Sequence, residues 1–270
     1  MKSITKAMLW LLLFGGAVKS SHAGTGKEGY EKEAAQYKMP APYVKLATDL
    51  YNEIGLMAHG LEKDIFLKAY KGYLLLVNRG LVRNQQVLSI ADFSQSNQNK
   101  RLYIIDLRNR KLLMQTFVSH GRNSGEEMAT SFSNANNSNK SVLGFLLTAD
   151  TYTGEHGLAL RFRGLERGIN DMVTQRAIVV HGSKFVNERE LARRGEMVNS
   201  LGCPAVPMAQ SKTIIHAIKG GSVYFIYHPD ENYARKSQIL NGSLEWTWLQ
   251  PAMVAAAPDS VALPANTLLQ

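Results

Sequence analysis

The hydrophobic pattern changes its period at Gly80, and that change limits what the chain can fold into. Upstream, Tyr43, Leu46, Leu50, Ile54 and Met57 recur at steps of three and four, the spacing of one buried helix face. Gly60 interrupts the series, and Phe66, Ala69, Tyr73 and Leu76 resume it. The spacing predicts two helices within residues 42–78, packed on a main body. Downstream, short runs rich in β-branched and aromatic residues are separated by Asn, Ser and Gly, a strand texture. Strands are predicted at 87–93, 101–107, 112–119, 142–148, 158–162, 177–180 and 223–227, with Asn109 in a tight turn between the second and third. The expected class is mainly β (α+β), with two N-terminal helices packed on a β-rich core. Between strands, residues 122–141 carry Asn134, Asn136, Asn137 and Asn139 and are expected to form a long loop, a kind of segment that often carries function. The charged stretch 187–199 is expected to be partly helical, and Ser211 to Lys219 a short helix ended by Gly220-Gly221.

The ends differ from this body. Lys2 and Lys6 precede an apolar run over 7–18, then Lys19 and Ser21-His22-Ala23, a small-x-small cleavage pattern. Residues 1–23 are expected to be a signal peptide, since a membrane anchor needs about 20 apolar residues. Removing them takes away three lysines and no acid, so the formal charge of +9 falls by three to +6. An exported basic protein suits an anionic polymer or surface. No interleaved aromatic and basic motif of a nucleic-acid module is present, so nucleic acid is not an expected partner. Residues 24–41 are expected to be a flexible lead-in, 42–80 a helical segment, 81–232 the β-rich catalytic domain, and 233–270 a flexible tail.

The chain has one cysteine, Cys203, so no intramolecular disulfide is possible. In an oxidising compartment an idle thiol is a liability, which leaves a buried inert residue or one kept for chemistry. The flanking residues favour chemistry. Cys203 lies in Ser200-Leu201-Gly202-Cys203-Pro204, and upstream the apolar run 177–180 ends in His181-Gly182. An imidazole brought to a thiol can take its proton and leave a nucleophilic thiolate. Gly202 permits a tight turn, so the amides of Gly202 and Cys203 are candidate donors to an oxyanion. Ser200 is either a nearby hydrogen-bond donor or a turn-forming hydroxyl.

His181-Gly182 and Ser200-Leu201-Gly202-Cys203 resemble the catalytic signature of bacterial L,D-transpeptidases, enzymes that remodel peptidoglycan. The branch with Pro-Ala after the nucleophile is the most similar. The resemblance extends more diffusely over about residues 85–230, including His120-Gly121, Ser141 to Phe145 and Tyr224 to Pro229. It implies a β-sandwich core, Cys203 as nucleophile, His181 as general base and acid, and the carbonyl of Gly182 as orienter of His181. It also implies a tetrapeptide stem donor cleaved at its terminal D-alanine, no cofactor, and acylation by carbapenems. The acceptor is open: an amine gives a cross-link or protein attachment, and water gives an L,D-carboxypeptidase. A non-catalytic wall-binding domain is the rival from another class. Two positions depart from the family pattern: Leu201 stands where a His is usual, and Pro204-Ala205 replaces a hydrophobic residue followed by Arg or Asn.

The donor carries carboxylates, so His120, Lys140, Arg161, Arg163, Arg193 and Arg194 are candidate substrate contacts. His120, His156, His181 and Cys203 have no regular metal-ligand spacing, and no metal is expected. Periplasm or cell wall is the expected location.

Overall fold

The computed structural model describes residues 36–245. The expected signal peptide, most of the lead-in, and residues 246–270 of the expected tail lie outside the described residues.

Helix α1 (Ala41–Ile54) buries Tyr43, Leu46, Ala47, Leu50, Tyr51 and Ile54, the one-face pattern its sequence predicts. Helix α2 (Lys63–Asn78) is buried from Ile65 to Leu76, all round its axis, so it lies between layers rather than on the surface. That burial includes Lys71, whose ammonium donates to the carbonyls of Tyr37 and Leu240 and thereby ties both ends of the described chain to α2. Close approach of α2 to the sheet depends on Gly72. A Cβ there would stand 2.1 Å from Cζ of Phe145, and Phe145 is stacked on Phe225 at 4.2 Å.

Among the described residues eight strands form one sheet: β1 (Val87–Asp92), β2 (Leu102–Asp106), β3 (Lys111–Thr116), β4 (Gly144–Gly154), β5 (Gly157–Gly164), β6 (Val179–Ser183), β7 (Ala205–Pro207) and β8 (Val223–Tyr227). Their order is β3-β2-β1-β8-β4-β5-β6-β7. β1–β8 and β6–β7 are parallel, and the other pairs antiparallel. The class is mainly β with helices, as expected. The two edges of the sheet approach each other beyond β3, where Ser119 N–H donates to Ala205 C=O at 2.9 Å and Gly121 bridges Ser200, so the sheet nearly closes on itself.

Three further α-helices lie among the described residues, α3 (Glu188–Arg194), α4 (Met208–Ile218) and α5 (Glu231–Lys236), with short 3-10 turns at Leu56–His59 and Arg122–Ser124. α2 packs on β1 and β8, whereas α4 packs on β5, β6, β7 and β1. Register decides what each side carries. Leu160, Phe162, Val180 and Gly182 turn to one face and are buried, while Arg161 and Arg163 turn to the other and are exposed. His181, directly paired with Ala159, shares the face of the two arginines.

Several expectations need correction. β4 continues past Thr148, because a register shift between Thr148 and Thr151 lets the pairing restart. β7 was not expected: three residues ending in Pro carry no periodic signal. The chain does not loosen at residue 233. Tyr233, Ile239, Leu240 and Leu244 are buried, and the buried carboxylate of Glu166 accepts from Phe145 N–H at 2.8 Å and from the hydroxyls of Tyr233 and Ser237. Among the described residues no helix is long and apolar enough to cross a membrane.

Replacing Gly72 with Ala is expected to force Phe145 out of its rotamer. A loss of about 1–3 kcal/mol, read as a lower urea midpoint, is the outcome that fits this packing; an unchanged midpoint would contradict it.

Candidate active site

Cys203 sits in the loop that leads into β7, and His181 lies in the adjacent strand β6. Parallel pairing sets His181 beside Ala205, two residues beyond Cys203. The 22-position separation in sequence is thus closed by β7, an element too short to be read from the sequence.

The imidazole of His181 is half-buried, and its Nδ1 lies 3.1 Å from the carbonyl oxygen of Gly182. A carbonyl only accepts, so Nδ1 carries the proton and Nε2 is left as the basic nitrogen. Burial, followed by the nearby ring of His156, pushes the His181 pKa below its ordinary value, against the opposing pull of the Gly182 carbonyl. His156, in the turn between β4 and β5, stacks on His181 with centroids 4.6 Å apart.

The Cys203 thiol lies 3.7 Å from the carbonyl oxygen of Ala177. Burial pushes its pKa up, while the Val179 N–H and the Arg176 guanidinium act to lower it. At rest, therefore, both groups are biased toward neutrality, a thiol beside a neutral imidazole. Arg176 was not among the sequence-level candidates. Its guanidinium donates to Ser133 C=O at 2.5 Å, Lys140 C=O at 2.6 Å and Ser138 Oγ at 3.1 Å, clamping the 133–140 loop beside Cys203. The following residue, Ala177, has φ +51, with Ala177 N–H bonded to Thr174 C=O and Ile178 N–H to Val173 C=O, the paired bonds of a Schellman turn. That turn sends Arg176 to the loop and the Ala177 carbonyl to the thiol. A signal was available, since Arg176 immediately precedes the apolar run 177–180 that leads to His181.

The cysteine loop is held from beneath. Ser200 N–H donates to His120 C=O at 2.8 Å, and Arg122 N–H to Ser200 C=O at 2.7 Å. Ser200 Oγ lies 2.6 Å from the Cys203 carbonyl oxygen and accepts from Gly202 N–H at 3.0 Å. Ser200 therefore braces the turn. The expected oxyanion role of the Gly202 amide needs correction, because that N–H is already engaged; the Cys203 N–H donates to no described group. Gly202 itself is required, with φ +120 and with Lys140 C=O 2.9 Å from any added Cβ.

The structure engages three of the expected substrate contacts with other groups of the chain. His120 is fully buried. Arg101 donates to its Nδ1 at 2.8 Å and its Nε2–H reaches Gly125 C=O at 3.0 Å, so its ring supports the loop rather than a ligand. Burial, then the Arg101 charge, pushes its pKa down to about 4. Arg193 and Arg194 lie on α3, where helical spacing pairs them with Glu190 at 2.7 and 3.0 Å. Lys140 donates to Ser131 Oγ at 2.6 Å, within the loop that Arg176 clamps. Arg161 and Arg163 are exposed on the His181 face. Among the described residues no group of three or more His, Cys, Asp or Glu could hold a metal ion.

A family model for the L,D-transpeptidase catalytic domain matches residues 57–227. The chain belongs to the L,D-transpeptidase catalytic domain family. The match spans α2, all eight strands and the loop carrying Cys203. Solved L,D-transpeptidases overlap it more loosely. One from Mycobacterium smegmatis shares 12% identity with a TM-score of 0.32, covering 53% of this chain and 59% of that one. An L,D-transpeptidase solved in complex with imipenem gives the same values: 12%, 0.32, 53% and 59%. The enzyme from Xylanimonas cellulosilytica shares 14% at a TM-score of 0.33, covering 57% of this chain and 68% of that one. The chain thus spans 59% of the length of the first two. A search of curated protein sequences finds no match for it.

Replacing Arg176 with Met removes the cation beside this family member's thiol and frees the 133–140 loop. Alkylation of Cys203 by iodoacetamide at neutral pH is expected to slow about tenfold, matching a rise of about one pKa unit, with partial rescue by Arg176→Lys. An unchanged rate–pH profile would remove Arg176 from the site.

Proposed function

We propose that this protein is an exported peptidoglycan L,D-transpeptidase acting through Cys203 and His181. The observation that carries this reading is the His181–Gly182 contact, which leaves Nε2 unprotonated on the strand beside the cysteine loop. Nε2 takes the thiol proton as the thiolate attacks the amide carbonyl before the terminal D-alanine of a tetrapeptide stem. The Cys203 N–H is the candidate donor to the resulting oxyanion. His181 then returns the proton to the departing amine, and D-alanine leaves as the thioester forms. An acceptor amine attacks the thioester, its proton passing through His181 back to sulfur, and the new amide is released.

The neutral resting pair assigns His181 the work of generating the thiolate in each turnover. As pH falls through the lowered pKa of His181, the imidazole protonates and the base is lost. The acid limb of kcat/KM is expected below 6.5, the ordinary imidazole value. A limb at or above 6.5 would show that another group controls the step.

Incubation with disaccharide-tetrapeptide, followed by mass spectrometry, tests the chemistry. Loss of D-alanine with an acyl adduct on Cys203, abolished in Cys203→Ala, is expected; an unmodified protein beside intact substrate would leave the wall-binding reading. Adding an acceptor stem separates cross-linking from hydrolysis. A carbapenem is expected to acylate Cys203, by analogy with the solved relative bound to imipenem. Export is supported by Lys2, Lys6 and the run over 7–18. Protein recovered from the periplasm or wall is expected to begin at Gly24, and a retained Met1 there would refute cleavage.

A further inference from the structure

The face of the sheet that bears His181 carries a cation with no acidic partner. Arg161, on β5, is exposed, and among the described residues no carboxylate pairs with it. Its guanidinium is nevertheless held in place, lying over the ring of Tyr152 at 4.1 Å from the centroid. Tyr152 stands on β4 opposite Ala159, and Ala159 stands opposite His181, so register sets Tyr152, Arg161 and His181 on one face. Arg161 is paired directly with Val179, and the Val179 N–H faces the Cys203 sulfur from the other side of β6. With strands about 4.8 Å apart, Arg161 lies about two strand spacings, ~10 Å, from the nucleophile. An arginine side chain and one residue of a bound peptide span that separation.

An unpaired exposed guanidinium would ordinarily sample many rotamers. Stacking on an aromatic face removes much of that freedom while leaving the edge N–H groups open, the geometry that binds a carboxylate through two parallel hydrogen bonds. Arg163, two residues on, adds a second positive charge to the same face. His156 and its stack on His181 close the hairpin end of the face. A peptide laid across β5 toward Cys203 therefore meets a fixed, forked cation before its carbonyl reaches the thiol.

We propose that Arg161, held on the Tyr152 ring, is a carboxylate-binding subsite that positions the donor stem for attack by Cys203. The inference rests on the acyl-transfer reading and assigns one anchor of its substrate. It also assigns Tyr152, a residue with no charge, as the platform that makes Arg161 specific and leaves the arginines on α3 out.

The test measures binding rather than turnover. In full-length Cys203→Ala protein, affinity is determined for a disaccharide-tetrapeptide with free carboxylates and for the same compound with its carboxylates amidated. Arg161→Gln is expected to weaken binding of the free acid about tenfold and to leave the amidated compound unchanged. Tyr152→Leu is expected to reproduce much of that loss, and Tyr152→Phe to restore it. Equal affinity of the Arg161→Gln and parent proteins for the free acid overturns the subsite, as does an equal loss for both compounds. Failure of the parent to bind either compound overturns the acyl-transfer reading and the subsite with it. Intact binding with an indifferent Arg161 overturns the subsite alone.

Discussion

The near-closure of the sheet is the constraint on which the site depends. Residues 119–122 continue past β3 and hydrogen-bond to residues 200–205, so the loop bearing Cys203 is the strip that joins the two ends of one sheet. A loop used as a seam has little freedom. Its support is a buried cation, Arg101, which donates to the Val118 carbonyl and to His120 and lies 4.6 Å from the Phe93 ring. Desolvation of a guanidinium is expensive unless its donors are satisfied. Those bonds in turn hold the backbone at 118–120, where the His120 carbonyl receives Ser200. The order of dependence runs from Arg101 to His120 to Ser200 to the turn at Cys203.

Much of the fold was legible because most elements are defined by local periodicity. α1 and α2 follow from apolar spacing, and β1, β2 and β8 from short apolar runs buried on both faces. What escaped reading was set by contacts distant in sequence. β7 exists only because β6 lies beside it. The ordering of residues 233–245 rests on Glu166 and Lys71, far upstream. In the sequence, His120-Gly121 and His181-Gly182 present the same local pattern at the end of a strand-like run, yet one imidazole is fully buried and the other half open. The difference is Arg101, which no window around His120 contains.

Electrostatics at Cys203 and His181 favour the neutral form of both groups. Burial raises the thiol and lowers His181, so each is held away from its charged form. The Val179 N–H and Arg176 oppose only the first of these. A preformed thiolate–imidazolium pair would need stronger opposition to desolvation than one amide and one half-buried guanidinium provide. A neutral thiol is a poorer target for oxidation than a thiolate, and such a site forms the thiolate only with the help of a base.

The two positions that the resemblance marks as departures, Leu201 and Pro204-Ala205, differ in physical weight. Leu201 is 62% exposed, so its side chain packs against little and its identity places few demands on the loop. Ala205 is the opposite. It opens β7, is buried, and packs in a small cluster with Phe117, Val186 and Met197. An Arg or Asn at this position would place a polar group under Phe117 without a partner, a cost of several kcal/mol in order of magnitude. With the sheet closed over residue 205, a cation near the thiol has to come from elsewhere. Arg176 supplies it beside Gly202, where its Nη2 stands 3.3 Å from the position a Cβ would take. The same side chain also anchors the 133–140 loop, so in this chain the charge beside the thiol and the support of the neighbouring loop come from one residue.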